Sequence, residues 1–411
     1  MREAPIAPVN LLLEETARTG WQTPVLAIAG AFLGYLLMFF TNPTYPFFRD
    51  GLRCLNRYPR VWLWLCGLGL TYMVFQLILN YEMGEISVSI NDLIYWPPFK
   101  PLDWSTIASR AWLSSIELLA GLFNQAVVAY PISALAALLF LINWHGYQGH
   151  FLSAARRRLG RWWLLIYAAL LVCAVAAFCK PIFSLSIYWL NQYWGGIALL
   201  RAGAVIDWLS FQFEYLFGLM IQIFLILSTL IWIRGLHADS ARIFAFALKR
   251  GVYAAKWAGI VLAASAVLIH LPLLISYLWI KEQTDFTNAV VQYVEQTARP
   301  LLAIGLLLFC SVQIALILHN ESLKEAIGDH AELVRRYWYR VLWFFAVAGL
   351  HLFAISYISE YLGSGFPKAS VPGLLIGIGS VSAKGFFAGW FIASWVCLYR
   401  SSDTDRKEIR F

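Results

Sequence analysis

The sequence predicts an all-α integral membrane protein with about nine transmembrane helices. Of its 411 residues, 60% are hydrophobic and 13% are charged, and the mean hydropathy is +0.66; soluble domains carry about a quarter charged residues. Apolar runs of roughly 20 residues, long enough to cross a hydrocarbon core of ~30 Å as helix, recur along the chain. Continuous runs such as 164–177 lack the alternation of β-barrel strands, so helices are the expected spanning elements.

The predicted spans follow the apolar runs between charged loops. They cover residues 23–40, 61–80, 119–143, 162–180, 212–233, 257–280, 300–319, 338–360 and 374–398. Segments 104–143 and 205–233 are too long for one simple span at 1.5 Å per residue, so we expect them to protrude, tilt or break. Pro131 is the candidate break, and a re-entrant segment within 104–143 stays open.

The distribution of Lys and Arg predicts the orientation. Four alternate loops and the C-terminal tail are basic, around residues 49–60, 156–161, 234–256, 324–340 and 400–410. Basic loops remain cytoplasmic, so the N-terminus is expected outside and the C-terminus inside, in the inner membrane of a bacterium. The net charge of +8 is explained by these loops, and their dispersal argues against a nucleic-acid partner.

A basic residue and a Trp mark the junction between each basic loop and the following span. The pairs are Arg60 with Trp62, Arg161 with Trp162, Lys256 with Trp257, and Arg340 with Trp343. Such pairs are typical interfacial anchors. The preceding segments, such as 47–58 and 240–253, are predicted to be amphipathic elbow helices in the cytoplasmic interface, which either fix the tilt of the next span or dock a protein partner.

Two sequence matches indicate internal repeats within a single polytopic domain, 1–411. Residues 117–125 and 214–222 share the pattern Glu-x-Leu-x-Gly-Leu-x-x-Gln, and residues 14–18 echo 295–299. The predicted unit is helix, elbow, helix, in parallel copies about an axis along the membrane normal. The copies cover 8–95, 104–200, 203–285 and 287–362, followed by a terminal span, 363–399, and a cytoplasmic tail, 400–411.

Ionisable and polar residues within the predicted spans are the candidate functional residues, because each is costly in a bilayer. Lys384 and Glu214 lie roughly 24 and 30 Å from the basic ends of their helices, so we predict that they pair. Glu117 and Gln125, like Glu214 and Gln222, share one helix face and suit either interhelical hydrogen bonds or a shared polar pathway.

Two histidines lie near the middle of their spans. His270 and His351 suit proton-coupled movement or a buried ligand, or else a hydrogen bond to a backbone carbonyl. His145 and His150 are five residues apart, which differs from the His-x-x-x-His spacing of zincins, and the six cysteines form no Cys-x-x-Cys pair. We therefore expect no metal site and no cofactor.

Three functions remain open. The first is a non-enzymatic, permease-like transport subunit that moves or guides a solute or lipid through the bundle. The second is a structural or assembly subunit that recruits partners through its elbow helices. The third is an intramembrane enzyme acting on a lipid-linked substrate, although the chain has no phosphate loop, Gly-x-Ser-x-Gly elbow or His-Glu-x-x-His motif.

Overall fold

A computed structural model describes most of the chain. The described residues are 33–82, 103–124, 130–143, 157, 160–194, 197–236, 239–279, 285–319, 322–366 and 370–402. They divide into two compact units, with the boundary between Pro46 and Phe47.

Every regular element in these ranges is helical. Residues 33–41 form a first helical segment, and thirteen α-helices follow: α1 Tyr45–Arg57, α2 Pro59–Glu82, α3 Trp104–Asn124, α4 Tyr130–Ile142, α5 Trp163–Trp194, α6 Ile197–Ile233, α7 Ser240–Ser265, α8 Leu271–Trp279, α9 Asp285–Tyr293, α10 Arg299–Leu308, α11 Val312–His319, α12 Leu323–Ser364 and α13 Val371–Ser402. A short 3₁₀ turn, Gly160–Trp162, precedes α5. The predicted all-α class is confirmed.

In the described part of the chain, five helical segments are long and apolar enough to cross a membrane: Gly160–Ser186, Arg201–Ile233, Tyr253–Ser276, Leu323–Ser364 and Val371–Ser402. A sixth is counted if Asn288–Leu308 and Val312–His319, which meet at a bend of 47°, form one span. The apolar parts of α2 and α4 are shorter, Leu65–Ile78 and Ser133–Ile142. Most of the predicted span 23–40 lies outside the described residues, so neither nine spans nor the four repeats are confirmed.

The long predicted segment 104–143 contains two helices. α3 ends at Asn124, and α4 begins at Tyr130, one residue before Pro131. A Pro near the first turn of a helix is favourable because its missing N–H would be unpaired there anyway. The chain between these helices, 125–129, lies outside the described residues.

One of the expected elbow helices is continuous with the span that follows it. α7 runs unbroken from Ser240 to Ser265, and it contains no Pro to end the helix. A separate elbow at this junction is therefore a wrong prediction. In contrast, α1 is a separate helix, and α12 is kinked at Tyr337, with φ −127° and ψ 25°, one residue before the predicted span 338–360.

α12 has more residues than a bilayer core requires. Its 42 residues correspond to about 63 Å at 1.5 Å per residue, against ~30 Å of hydrocarbon. The large apolar side chains exposed on its surface are concentrated between Trp338 and Leu362, whereas residues 323–336 carry most of its charges. These residues form the charged first part of α12, which buries Ala326, His330 and Leu333.

An aromatic cluster joins α1, α12 and α13. The rings of Phe48 and Phe344 are parallel, with centroids 4.9 Å apart, and both side chains are completely buried. Trp390 packs edge-on against Phe48 and donates a hydrogen bond of 2.7 Å from Nε1 to its carbonyl oxygen. Gly51 allows the close approach of α1 to Ser394 of α13.

Side chains cap two of the helices. The carboxylate of Asp103 accepts hydrogen bonds from the Ser105 hydroxyl and from the backbone N–H and hydroxyl of Thr106 at the start of α3. These bonds, that of Ser105 foremost, hold the pKa of Asp103 below its ordinary value. Ser322 and Glu325 form a capping box at the start of α12.

The helices are interrupted at three places near polar residues. Two single π-helical turns, Ala266–His270 and Val294–Ala298, pack against each other and share an apolar contact through Ile269, Val294 and Ala298. The third interruption is the turn 309–311 between α10 and α11. π-helical turns are rare and occur frequently at functional sites.

Candidate functional site: a polar line along α6

α6 is the most enclosed of the apolar helices. In its most apolar stretch, 56% is buried inside the structure, which is the largest share among the five long helical segments. Four polar residues, Asp207, Glu214, Gln222 and Thr229, follow one another along it at intervals of seven or eight residues. This spacing puts them on one helix face, over a length of roughly 33 Å.

Lys180 of α5 is shared by the two carboxylates of this line. Its Nζ lies 3.3 Å from Oδ1 of Asp207 and 3.5 Å from Oε1 of Glu214. The Glu214 side chain is 14% exposed, whereas that of Asp207 is 62% exposed. One ammonium group is therefore held between an enclosed and an open carboxylate.

Two further helices contribute polar groups to Glu214. Ser133, completely buried at the start of α4, forms a side-chain hydrogen bond with the Glu214 carboxylate. Tyr72 of α2 is hydrogen-bonded to Gln76 and feels the charges of both Glu214 and Lys180. Side chains of α2, α4 and α5 thus surround the carboxylate that α6 carries.

The paired π-helical turns adjoin this charged group. His270, at the end of the first turn, packs on Phe211 of α6 with a centroid distance of 4.5 Å. Its ring interacts electrostatically with Arg299, Asp207 and Lys180. Nε2 of His270 is buried and has no hydrogen-bond partner among the described residues.

Further along α6, two buried amides bond to each other. Nε2 of Gln313 in α11 donates to Oε1 of Gln222, and both side chains are 1% exposed. Oε1 of Gln313 has no hydrogen-bond partner among the described residues. Buried polar groups are normally paired because an unpaired one is costly. This oxygen is therefore an exception, and it can accept a hydrogen bond from a bound molecule.

A double-mutant cycle should detect the amide pair. Gln222→Leu and Gln313→Leu each leave one amide without its partner, and each is expected to lower the free energy of unfolding by about 1–3 kcal/mol. The double variant should lose less than the sum of the two, by about 0.5–3 kcal/mol. Unfolding by sodium dodecyl sulfate, followed by circular dichroism, measures this difference, and strictly additive losses would contradict the pairing.

The line ends at Thr229, which meets the separate helix α1. Thr229 is buried and its hydroxyl donates to the carbonyl of Leu225 at 2.9 Å. The Cys54 thiol is hydrogen-bonded to Thr229 and is itself 4% exposed. Burial raises the pKa of Cys54 to about 12.

We expect Cys54 to resist alkylation in the folded protein. A pKa near 12 instead of 9.0 reduces the reactive thiolate roughly a thousandfold near neutral pH, and burial restricts access further. Mass spectrometry of maleimide-treated protein should find Cys54 unmodified in mild detergent and modified after denaturation. A cysteine introduced by Ser401→Cys, at an exposed position near the end of α13, is the control that should react in both states.

A histidine closes the turn between α10 and α11. Nδ1 of His330, from α12, lies 2.5 Å from Oγ of Ser311, and the ring also bonds the backbone carbonyl of Leu308. The two bonds contact residues on both sides of the bend. All residues of α11 from Val312 to Leu318 are buried.

Lys384 has another partner than expected, whereas His351 has the backbone hydrogen bond that was one of its expected alternatives. Lys384 is half-buried on α13, and the charge acting on it is that of Glu360 of α12. The structure thus replaces the predicted Lys384–Glu214 pair with separate partners. His351 is buried, and its Nδ1 lies 2.7 Å from the carbonyl oxygen of Val347, with the ring among Phe387, Trp390 and Phe391, which is the arrangement of a core histidine.

The remaining predicted residues lie away from the polar line or outside the described part of the chain. Gln125 and the side chains of Glu117 and Arg60 lie outside the described residues. The expected anchors differ in exposure: Arg161, Trp162, Lys256 and Trp343 are exposed, Trp62 and Arg340 are half-buried, and Trp257 is buried. Trp257 packs against Phe309, with centroids 5.8 Å apart, so it lies inside the bundle instead of at the interface expected for it.

Sequence reasoning missed Lys180, Asp207 and Gln313. Lys180 stands directly before Pro181, where the predicted span ends, yet α5 continues through this Pro to Trp194. Asp207 lies seven residues before Glu214, and this helical spacing was a usable signal. Gln313 interrupts an apolar run, but its partner could be found only in three dimensions.

The fold and the site define an α-helical membrane protein. No known protein family, curated protein or solved structure shows significant similarity to the chain. Among the described residues, no group of three or more His, Cys, Asp or Glu side chains is arranged to hold a metal ion. The function is therefore argued from the polar line of α6.

Proposed function

We propose that this protein is a permease-like membrane protein that carries a small polar solute along the polar face of α6. The observation that supports this most strongly is the line from Asp207 to Thr229 on the most enclosed apolar helix. Polar residues inside a membrane protein are costly and commonly mark substrate or ion pathways.

The partners of these four residues favour a transport role over a purely structural role in holding helices together. Lys180, Gln313 and Cys54 reach it from α5, α11 and α1, so the polar contacts cross several helix interfaces. Gln313 Oε1 and His270 Nε2 lie near these residues and have no hydrogen-bond partner in the described part of the chain. Such atoms can bind a hydroxyl, amide or water of a passing solute.

The helix interruptions support the same proposal. The two π-helical turns and the bend of 47° between α10 and α11 occur beside His270, Arg299, Ser311 and Gln313. In membrane transporters, irregular helices are tolerated where they are enclosed by protein, and they often form the substrate site.

The proposed setting is the inner membrane of a bacterium, with the basic loops and the C-terminus in the cytoplasm. The excess of Lys and Arg in alternate loops supports this orientation. The charged first part of α12, residues 323–336, then lies on the cytoplasmic side. Lipid headgroups at that surface would meet its basic residues.

A second function, assembly with a protein partner, is favoured by the charged first part of α12. This segment carries the exposed residues Lys324 and Arg335 and the ion pair of Arg336 with Glu332. A docked protein would bind there, and charge reversal at Lys324 and Arg335 should then abolish its co-purification while leaving the purified chain intact.

Release from liposomes tests the transport proposal for many polar solutes at once. Purified protein is reconstituted into liposomes loaded with the water-soluble fraction of a cell extract, and mass spectrometry identifies the compounds that leave. We expect selective loss of one or a few polar compounds, slowed by Glu214→Gln but unchanged by Glu332→Gln, a control at an exposed carboxylate. Release indistinguishable from that of protein-free liposomes would refute the proposal.

A further inference from the structure

We propose that Glu214 is a proton-binding site, and that Lys180 leaves Glu214 for Asp207 when the proton binds. This inference rests on the proposed transport function, since it names the proton as the ion that accompanies the solute. The site, within the described residues, consists of the Lys180 ammonium and the carboxylates of Asp207 and Glu214, which differ markedly in exposure.

The geometry allows Lys180 to change partners without a large movement. Its Nζ lies 3.3 Å from Asp207 and 3.5 Å from Glu214, so both carboxylates are within ion-pair distance. They are seven residues apart on one face of α6, which places one two turns above the other. A flexible lysine stem can move from one to the other by changes of rotamer.

The two carboxylates have different access to water. Asp207 is 62% exposed and remains hydrated, whereas Glu214 is 14% exposed and depends on Lys180 to offset its charge. A proton on Glu214 removes the charge that holds Lys180 there. Lys180 then retains the charge of Asp207 as its counter-ion, so no ammonium is left unpaired.

The other groups that face Glu214 suit both protonation states. Ser133 of α4 can donate its hydroxyl proton to the carboxylate or accept one from the carboxylic acid, and Tyr72 of α2 contributes a neutral phenol. Beyond Asp207 and Lys180, His270 and Arg299 complete the titratable and charged groups on the side of the π-helical turns. Arg299 acts on the ring of His270.

The step itself is a simple proton transfer. A proton from water at the exposed Asp207 side adds to one Glu214 carboxylate oxygen, the Lys180–Glu214 ion pair separates, and Lys180 keeps its three protons. Release of the proton reverses the exchange.

Infrared spectroscopy of the full chain in lipid nanodiscs tests the site directly. A protonated, enclosed carboxyl group gives a C=O stretching band separate from the amide bands, and its amplitude can be followed as pH is lowered. We expect a band that appears on acidification, is lost in Glu214→Gln and is retained in Asp207→Asn. In Lys180→Met the band should persist to more alkaline pH, because the compensating cation is gone.

Two variants keep the test decisive. Lys180→Arg preserves the charge and should leave the titration near that of the unmodified protein, even if Lys180→Met fails to fold. Glu360→Gln removes another half-buried carboxylate, on α12, and should leave the band unchanged. A band that survives in Glu214→Gln, or that disappears in Glu360→Gln, would overturn the inference.

The infrared result is independent of solute release. A Glu214 band in a protein that releases no solute from liposomes would support the proton site and refute the transport function. Selective release without a Glu214 band would refute the proton site alone.

Discussion

Replacing Gly51 by Ala is expected to destabilise the protein strongly. A Cβ at this position would lie 2.8 Å from the backbone N and 3.0 Å from the Cα of Ser394, and neither atom can move without shifting α13. Overpacking of this kind costs about 1–3 kcal/mol, and occasionally more. The expected result is a lower melting temperature in detergent, measured by intrinsic tryptophan fluorescence.

Gly328→Ala is the matched control for this prediction. Gly328 is exposed on the charged first part of α12, and a Cβ added there meets nothing within 4 Å. Ala is favoured over Gly in a helix by about 1 kcal/mol, so this variant should melt at the same temperature as the unmodified protein or higher. Equal losses for the two variants would show that α1 does not pack closely against α13.

Phe344→Ala should produce the largest loss of stability among single truncations of the aromatic cluster. The Phe344 side chain is completely buried, stacked on Phe48 and 5.2 Å from the ring of Trp395. Removing a buried phenyl ring costs about 3–5 kcal/mol, from lost burial and from the cavity left behind. Unfolding by sodium dodecyl sulfate is the measurement, since it gives the free energy in the same micellar environment for each variant.

Leu342→Ala is the control two residues away on the same helix. Leu342 is 60% exposed at the apolar belt, so its truncation removes contact with lipid or detergent and leaves no cavity in the bundle. We expect a change of less than about 1 kcal/mol. A loss comparable to that of Phe344→Ala would mean that the cost of truncation does not come from the interface of α1, α12 and α13.

Composition and long apolar runs predicted the helical class and several of the spans. The runs 162–180 and 212–233, for example, fall within Gly160–Ser186 and Arg201–Ile233, because burial in lipid requires this length and this hydrophobicity. The elbow at α7 was mispredicted for a local reason. A change from charged to apolar sequence marks where a helix enters the apolar belt, but it does not end the hydrogen-bonded helix.

The site could be predicted only in part. Glu214 and Gln222 were evident as polar residues in an apolar helix, yet their partners, Lys180 and Gln313, lie 34 and 91 residues away in sequence. Lys180 was missed because Pro181 follows it, and Pro usually ends helices in water. In a membrane protein, neighbouring helices can satisfy the carbonyl that a Pro frees, so the helix can continue. Nothing in the local sequence distinguishes Gln313 as the partner of Gln222.

The charged first part of α12 offers a place to mark the protein for electron microscopy. A protein of 46.6 kDa enclosed in a detergent belt offers few external features, and electron micrographs of such particles are difficult to align. The buried residues Ala326, His330 and Leu333 hold this part of α12 in place, while Lys324, Gly328 and Arg335 are exposed. An antibody fragment that recognises the exposed side would therefore be bound to a fixed helix and would distinguish one end of the protein from the other.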